Sequence, residues 1–394
     1  MNKSLLILAA SLYQVPVILK ARGLGYRVLT TDNRPDNPGH ALAHESHTVD
    51  TTDASGILAL ARKAGVAGLM CPATDVAVIS AAEAAAALGL PGPPPEAAQI
   101  LTGKDSFRKF LRAGGWPAPA GQTLAGPVWP EGLPRGSGPW IIKPNRSSGS
   151  KGVFIINDEA DFRCRAPESL ALSLDGLAVV EQFIGGSQHT VEGFWENGRL
   201  GLVMVTDRLT APPPHTATWG HLVPSRLEEA GLARVMDLIG QVAGRLGLTN
   251  GPFDCDFVWD GREAFLLEMS PRLGGNALAR LVEAVWGVDF TAAAIAQATG
   301  EPVTLRPGTP HPAAVVLLGL DRAGRAVWDE EEEKRLRREN WVDHLALDVP
   351  PGTRAQAFTD GRRRLGEALI TAEDRPGLEA RLDEFRARLK LTAT

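Results

Sequence analysis

Over the first hundred residues, short apolar runs alternate with longer amphipathic or Ala-rich stretches. Leu5–Ala9 reads as a buried strand, Val15–Arg22 as a helix, and Tyr26–Thr31 as the next strand, ending at Asp32. Ile57–Ala64 then reads as a helix, Ala67–Cys71 as a strand and Val76–Leu88 as an Ala-rich helix. Strand–helix alternation of this kind predicts a parallel, doubly wound α/β sheet, whose ligands sit at the carboxyl ends of the strands. Ala10-Ser11, Asp32-Asn33 and Ala73-Thr74-Asp75 therefore fall along one rim. The run Gly92-Pro93-Pro94-Pro95 breaks the chain before Ala97–Leu101 and a helix over Asp105–Ala113, and the Gly- and Pro-rich residues 120–138 read as a loop or hinge.

From residue 139 the pattern changes to strands: Trp140–Lys143, Val153–Ile156, Ala178–Phe183, Thr190–Glu196, Arg199–Val205, Phe253–Trp259 and Ala264–Met269. Helices intervene near Leu227–Leu246 and Ala277–Val285, so this part reads as α+β. Residues 302–394 form a last segment ending in a charged amphipathic helix, Pro376–Leu389. The charge run Asp329–Glu333 followed by Lys334–Arg338 reads as a solvated helix face.

Length and composition narrow the function classes. A chain of 394 residues accommodates two or three packed domains. With 44% hydrophobic and 22% charged residues and a net charge of −5, it lacks the basic field that nucleic acid or anionic lipid requires. Cys71, Cys164 and Cys255 form no CxxC pair and no cluster with histidine, which argues against a disulfide framework or structural zinc and suits a cytoplasmic setting. The apolar run Leu5 to Ala10, close behind Met1-Asn2-Lys3, is short and leads into a second strand–helix pattern, so it reads as a strand rather than a signal peptide.

Two segments carry chemistry. In Trp140-Ile141-Ile142-Lys143-Pro144-Asn145-Arg146-Ser147-Ser148-Gly149-Ser150-Lys151-Gly152-Val153 a strand delivers a lysine into a loop of small residues. Gly149 and Gly152 permit positive φ, Ser147, Ser148 and Ser150 add hydroxyls, and consecutive amides in such a loop cradle phosphate oxygens. The lysine precedes the glycines, so this is not a Walker A loop. Taken alone, a surface hairpin fits the segment equally well.

The second segment runs from Gly251 to Asn276 and places Asp256 and Glu268 on two apolar strands around an Asp260-Gly261 reversal. Carboxylates inside apolar strands need partners, and two on pairing strands can hold Mg²⁺ through oxygen. A two-residue turn sets Asp256 opposite Phe265 and leaves Glu268 on the other face. The metal reading therefore requires an odd loop length or a β-bulge. The competing reading makes both carboxylates edge charges that discourage aggregation.

The order of these pieces resembles the ATP-grasp superfamily along nearly the whole chain, in its carboxylate–amine ligase and biotin-carboxylase-like branch. Thr102-Gly103-Lys104-Asp105-Ser106-Phe107, then Gly114-Gly115-Trp116-Pro117-Ala118-Pro119, resembles the opening lysine helix and its exit. Ile142-Lys143-Pro144 with residues 148–153 resembles the second lysine and phosphate loop, and Val180-Glu181-Gln182-Phe183-Ile184 resembles the hinge strand beside adenine. Glu268-Met269-Ser270-Pro271-Arg272 resembles the family's Glu-x-Asn-Pro-Arg.

The resemblance implies a fold: an N-terminal parallel doubly wound domain (1–115), a small central lid (116–190), a larger antiparallel α+β catalytic subdomain (191–300) and a C-terminal extension (301–394). It also implies roles. Lys104 and Lys143 contact the ATP phosphates together with Ser147, Ser148, Gly149, Ser150 and Gly152. Glu181 receives or adjoins the adenine amino group, Gln182, Phe183 and Ile184 line the pocket, and Gln188 stands where many members bind ribose through Glu. Asp256, Glu268 and Ser270 bind Mg²⁺, with two ions expected, although Ser270 replaces the family's Asn. Arg272 clamps the carboxylate or acyl phosphate through its planar fork.

The stretch Thr206 to Ser225 reads as a long Pro-rich loop resembling the substrate loop of amino-acid ligases. Its His215 and His221 either contact a substrate carboxylate or carry protons, or they are exposed loop histidines. His189 beside the hinge is a ribose or structural contact. The implied function is an ATP- and Mg²⁺-dependent ligase that activates a small carboxylate, such as an amino acid, as an acyl phosphate and couples it to an amine. Bicarbonate activation and ATP binding without turnover are the alternatives. Expected partners are small-molecule carboxylates and amines rather than nucleic acid or membrane, with a homodimer as the assembly considered.

Overall fold

The computed structural model describes residues 3–131, 133 and 138–394. Part of the expected hinge (132 and 134–137) and the first two residues of the N-terminal run lie outside that set. The N-terminal domain is a parallel sheet of β1 (Ser4–Leu8), β2 (Arg27–Thr31), β3 (Glu45–His47) and β4 (Gly68–Met70), ordered β3-β2-β1-β4. Every side chain of β1 is buried, because helices cover both faces and a strand so placed has no polar side. Leu6, Leu8 and Leu29 pack on the helices Ala54–Ala64 and Val78–Leu88. Leu5 and Ile7 face a core shared with the helices Leu278–Trp286 and Phe290–Ala298, so this domain is fused to the catalytic sheet.

The lid is a four-stranded antiparallel sheet of β5 (Gly121–Leu124), β6 (Trp140–Pro144), β7 (Phe154–Ile156) and β8 (Ala178–Gln182), ordered β5-β8-β6-β7. The helix Glu159–Ala171, which the apolar spacing did not suggest, packs Phe162 and Ala166 into its core.

The large sheet contains β9 (Ser187–Glu196), β10 (Arg199–Thr210), β11 (Thr218–Val223), β12 (Gly251–Trp259), β13 (Ala264–Ser270) and β14 (Ala313–Leu318). Beyond β15 (Gly324–Val327) it continues with β16 (Val342–Leu347), and beyond β17 (Arg354–Ala355) with β18 (Gly366–Thr371). Its order is β13-β12-β9-β10-β11-β14-β18-β16, while β15 pairs with β17 and with β19 (Thr392–Ala393) in a small separate sheet. The expected boundary at residue 300 thus crosses a continuous sheet, since β14, β18 and β16 extend the strands of the catalytic part.

The stretch 206–225 also differs from the long loop expected. β10 continues to Thr210 and β11 begins at Thr218, leaving a seven-residue connection, 211–217. The charge run 329–338 includes the helix Glu330–Leu336, whose charged residues lie at the surface while Leu336 is buried. Among the described residues no helix is long and apolar enough to cross a membrane.

Alternation along β12 places Phe253, Cys255, Phe257 and Trp259 against the helix Glu229–Leu246, and Asp254 and Asp256 on the opposite face. Phe253 and Phe257 are fully buried, and each such side chain stabilises the fold by roughly 1.5–3 kcal/mol. That apolar face anchors the sheet, and its reverse is a polar surface facing the lid and the N-terminal domain.

Candidate active site

The site is built around the polar face of the large sheet. A strict alternation along β13 from Ala264 and Leu266, both in the apolar core, would carry Glu268 into that core as well. It does not, because the ladder is irregular at this point. Phe257 pairs with Leu266, yet the next residue of β12, Asp256, pairs with Glu268. Leu267 is the extra residue of a β-bulge, and it turns both itself and Glu268 toward the cleft. The hairpin connection is four residues, 260–263, so the bulge alone satisfies the register condition. The two carboxylates stand directly opposite one another rather than diagonally.

Lys104 and Lys143 arrive from different elements and are tied by one asparagine. The helix Lys104–Ala113 starts where the Lys104 amide donates to the Asn145 carbonyl (3.2 Å) and the Asp105 amide donates to Asn145 Oδ1 (2.9 Å). Asn145 follows Lys143-Pro144 at the end of β6, so the two lysine-bearing segments are hydrogen-bonded together. Lys104 Nζ lies 3.7 Å from Glu268. Lys143 Nζ lies 3.0 Å from Glu181 Oε2.

The loop between β6 and β7 turns through Gly149 (φ +72°), Ser150 (+58°) and Gly152 (+68°). It is held over the cleft from outside the lid. Gly361 donates its amide to the Gly149 carbonyl (3.1 Å), and Ile155 donates to the Pro214 carbonyl (3.0 Å) in the 211–217 connection. His215 of that connection packs its ring 5.9 Å from Phe154.

One cleft gathers Lys104, Lys143, Ser147, Ser148, Gly149, Ser150, Lys151, Gln182, Phe183, Ile184, Gln188, Asp256 and Glu268 on its walls. Apolar Ile141, Val153, Val258 and Leu267 complete it. Its walls thus offer apolar surface suited to a flat ring and charged groups suited to anionic oxygens and a cation.

A family model described as an ATP-grasp domain matches residues 137–280, which span three of the four lid strands and the acidic hairpin. The formate-dependent phosphoribosylglycinamide formyltransferase of Burkholderia vietnamiensis is 27% identical over 392 residues, covering 96% of this chain and 91% of the relative. Over residues 137–280 the chain is an ATP-grasp domain. Two solved structures share the fold across all of this chain: an L-amino acid ligase from Bacillus licheniformis (TM-score 0.84, 18% identity, 99% of that chain covered) and a phosphoribosylglycinamide synthetase from Anaerococcus prevotii (TM-score 0.78, 18% identity, 100% covered). The relative and the two solved structures are thus named as a formyltransferase, a ligase and a synthetase.

Several residues expected in this ATP-grasp site stand off the cleft wall. Glu181 is buried (2% exposed), with Arg108 Nε at 2.6 Å and Lys143 at 3.0 Å. Burial opposes its charge, but Arg108 and Lys143 outweigh that and hold it down at about 2. It holds the two cations together and is not itself on the cleft wall. Gly152 supports the loop from behind, where an added Cβ would lie 3.0 Å from Pro144 and 3.1 Å from Leu172.

Ser270 and Arg272 join the catalytic sheet to the N-terminal rim. The Ser270 hydroxyl donates to Asp75, and Arg272 pairs with Asp75 (2.6 Å) and Asp254 (2.9 Å). Burial works against the Arg272 charge, yet Asp254 and Asp75 overcome it and raise its pKa. A substrate anion reaching this guanidinium must compete with those two carboxylates.

His221 is a buried member of β11, not a loop histidine. Its Nδ1 lies 3.0 Å from Thr206 Oγ1, and its Nε2 has no hydrogen-bond partner among the described residues. Burial, with a contribution from Arg208, depresses it to about 3, which favours the neutral ring at pH 7. His189 is structural, stacked on Phe257 with Nδ1 3.1 Å from Asp207.

Residues that the sequence did not single out complete the polar face. Arg208 of β10 lines the cleft, pairs with Asp256 at 3.0 Å and donates to Thr218 Oγ1 at 2.6 Å. Thr190 donates to Asp256 at 2.6 Å. Glu192 is wholly buried and accepts from the Gly274 amide at 3.0 Å; burial and then Asp254 push its pKa well up. Burial likewise raises Asp254, to about 7, with Arg272 working against the shift. The alternation of β12 marks Asp254 as a same-face neighbour of Asp256. The partners of Glu192 and Arg208 come from other strands and leave no local trace.

Among the described residues no three Asp, Glu, His or Cys side chains form a metal group by themselves. The donors nevertheless fit a hard divalent cation. Magnesium is commonly held by one or two carboxylates, with substrate phosphates and water filling the rest of its octahedron. Asp256 and Glu268 supply two carboxylates on one wall, and Glu268 is raised first by burial and further by Asp75 and Asp256, crowding that a cation relieves. Ser270 faces Asp75, so the ligand set that remains is the carboxylate pair.

Proposed function

We propose that this chain activates a small organic carboxylate with Mg²⁺-bound ATP and joins it to an amine, releasing ADP and phosphate. The observation that carries the proposal is the convergence of Lys104, Lys143, the 147–151 loop and the Asp256–Glu268 pair on one cleft that Phe183 and Ile184 also line. Phe183, Ile184, Gln182 and Gln188 seat the nucleoside. Lys104, Lys143 and the loop amides hold the phosphates and stabilise the charge that spreads during transfer. Asp256 and Glu268 would hold magnesium, which would supply neutralisation of the phosphate charge.

The substrate carboxylate attacks the γ-phosphorus, the bond to the β-phosphate oxygen breaks, and ADP leaves. The amine then attacks the acyl carbon, phosphate departs, and the amine gives up a proton. The lid contacts at Gly149 and Ile155 support this order, because a covered loop keeps water from the acyl phosphate. Relatives named for formate and for L-amino acids bracket the acids to be tried. The test is incubation of the pure chain with ATP, Mg²⁺ and a panel of formate, amino acids and small amines, reading phosphate release and new product masses. ADP formation that depends on one acid and one amine is expected. A chain that binds ATP but turns over with no pair in the panel counts against this reading.

A further inference from the structure

Arg108 sits one turn along the helix that begins with Lys104, and it is 2% exposed. A guanidinium is a rigid fork of five donors, and here the fork spans three elements. Its Nε donates to Glu181 Oε1 at 2.6 Å and a terminal nitrogen lies 3.3 Å from Glu181 Oε2, on β8. Its terminal nitrogens also donate to the carbonyls of Leu266 (3.3 Å) and Leu267 (2.9 Å), on β13. Those carbonyls flank the bulge. An extra residue interrupts the ladder and leaves backbone groups in need of other partners, and Arg108 is the partner supplied. Glu181 Oε2 in turn binds Lys143 at 3.0 Å.

We propose that Arg108 is a positioning residue for the metal-binding pair: it pins the Leu266–Leu267 bulge that brings Glu268 into the cleft beside Asp256, and through Glu181 it ties that hairpin to Lys143. The proposal rests on the reading of the cleft as a magnesium–ATP site. Slippage of the bulge by one residue would return Glu268 toward the apolar face and separate it from Asp256. Lysine is not an adequate substitute, since one ammonium cannot span a carboxylate and two carbonyls in a fixed plane.

The test is calorimetric titration of the full chain with ATP, with and without Mg²⁺, for the native protein and Arg108→Lys, alongside thermal melting. The lysine variant keeps a cation beside Glu181 and loses the fork. It is expected to lower the Mg²⁺-dependent gain in ATP affinity by about 10-fold or more while Mg²⁺-free ATP binding stays within about threefold, the pattern of a lost outer support for metal ligands. An unchanged Mg²⁺ gain overturns the proposal. So do two titrations that weaken in parallel with the melting temperature, which is the signature of general structural support. A native chain that binds no ATP overturns the nucleotide reading and this role with it. If Arg108→Lys does not fold, Leu267→Gly takes its place, since it loosens the bulge without altering a charge. A Mg²⁺ gain cut by about threefold or more is then expected, and an unaltered gain overturns the proposal.

Discussion

Asp256 faces Glu268 across β12 and β13 because β13 carries one residue in excess, Leu267, at that point. The strand remains apolar on its core side before and after the bulge, with Leu266 and Met269 both in the same cluster. A single backbone irregularity thus places an acid in the cleft without costing the core a side chain.

Substituting Glu268 by Gln tests the function of the pair. The side chain keeps its shape and loses its charge, and that charge is one burial disfavours and Asp75 and Asp256 repel. Stability should therefore hold or rise slightly, while ADP formation falls by about 100-fold or more, as expected where a metal ligand that stabilises phosphoryl transfer is removed. Thermal melting together with an ADP assay separates the two effects. Turnover close to the native rate would remove Glu268 from the metal site.

His221→Gln addresses the proton carrier. In the folded chain His221 is held neutral down to about pH 3 by burial and, second, by Arg208. A histidine depressed in this way contributes stability above its unfolded pKa of about 6.5 and loses it as pH falls from there toward 3. It therefore has no ionisation between pH 5 and 8 to imprint on catalysis. The variant should keep the shape of the native kcat–pH profile over that range. Loss of an inflection near neutrality would return the residue to a catalytic part.

Much of this arrangement was legible in the chain, and the parts that were not share a physical cause. The fully apolar run of β1 announced a strand covered on both sides, and Lys143 followed by small residues announced a turning loop, which lines the cleft. Asp256 and Glu268 betrayed themselves as carboxylates within apolar strands, although the sequence left the choice between loop length and bulge open. Arg108 and Arg208 gave no such sign, and Asp75 stood out only as a member of the N-terminal rim. Their significance lies in partners far away in sequence, such as Glu181 for Arg108 and Arg272 for Asp75. The run Pro212-Pro213-Pro214 made 206–225 look like loop throughout, whereas the prolines occupy only the connection and the flanking residues pair as β10 and β11. Arg272 and Ser270 were read from the family pattern as ligands facing the substrate or metal. The closeness of the N-terminal rim, which turns both toward Asp75, is a tertiary fact.

The phosphate loop offers a comparison within itself. Gly149 and Gly152 both have positive φ, but an added methyl at 149 meets nothing within 4 Å, while at 152 it meets Pro144, Leu172 and Ser169 at 3.0–3.3 Å. Gly149→Ala should cost about 1 kcal/mol from backbone strain alone. Gly152→Ala should cost more, about 2–3 kcal/mol, with crowding added to strain. Urea unfolding of both variants checks the order. Equal losses would mean that the loop yields at 152.

Acid stability should be governed in part by Asp207, on the interior strand β10. Its carboxylate accepts from Ser225 Oγ at 2.6 Å and from the Arg226 amide at 3.1 Å, and it lies 3.1 Å from His189 and 2.8 Å from Arg375. Burial opposes the charge, but the bonds from His189, Ser225 and Arg226 and the charge of Arg375 prevail and hold the group at about 2. A carboxylate depressed below its unfolded value contributes stability that is complete above that value, near pH 4. It is lost as pH falls through the folded pKa, so the window lies between about pH 4 and pH 2. The shift corresponds to about 2 kcal/mol at neutral pH. Asp207→Asn should therefore be less stable than the native chain at pH 7 by about that amount, and the two chains should converge as pH approaches 2. Denaturant midpoints measured from pH 7 to pH 2 give both curves. A gap that stays constant across that range would show that the carboxylate charge is not what Arg375 and the Ser225–Arg226 turn hold in place.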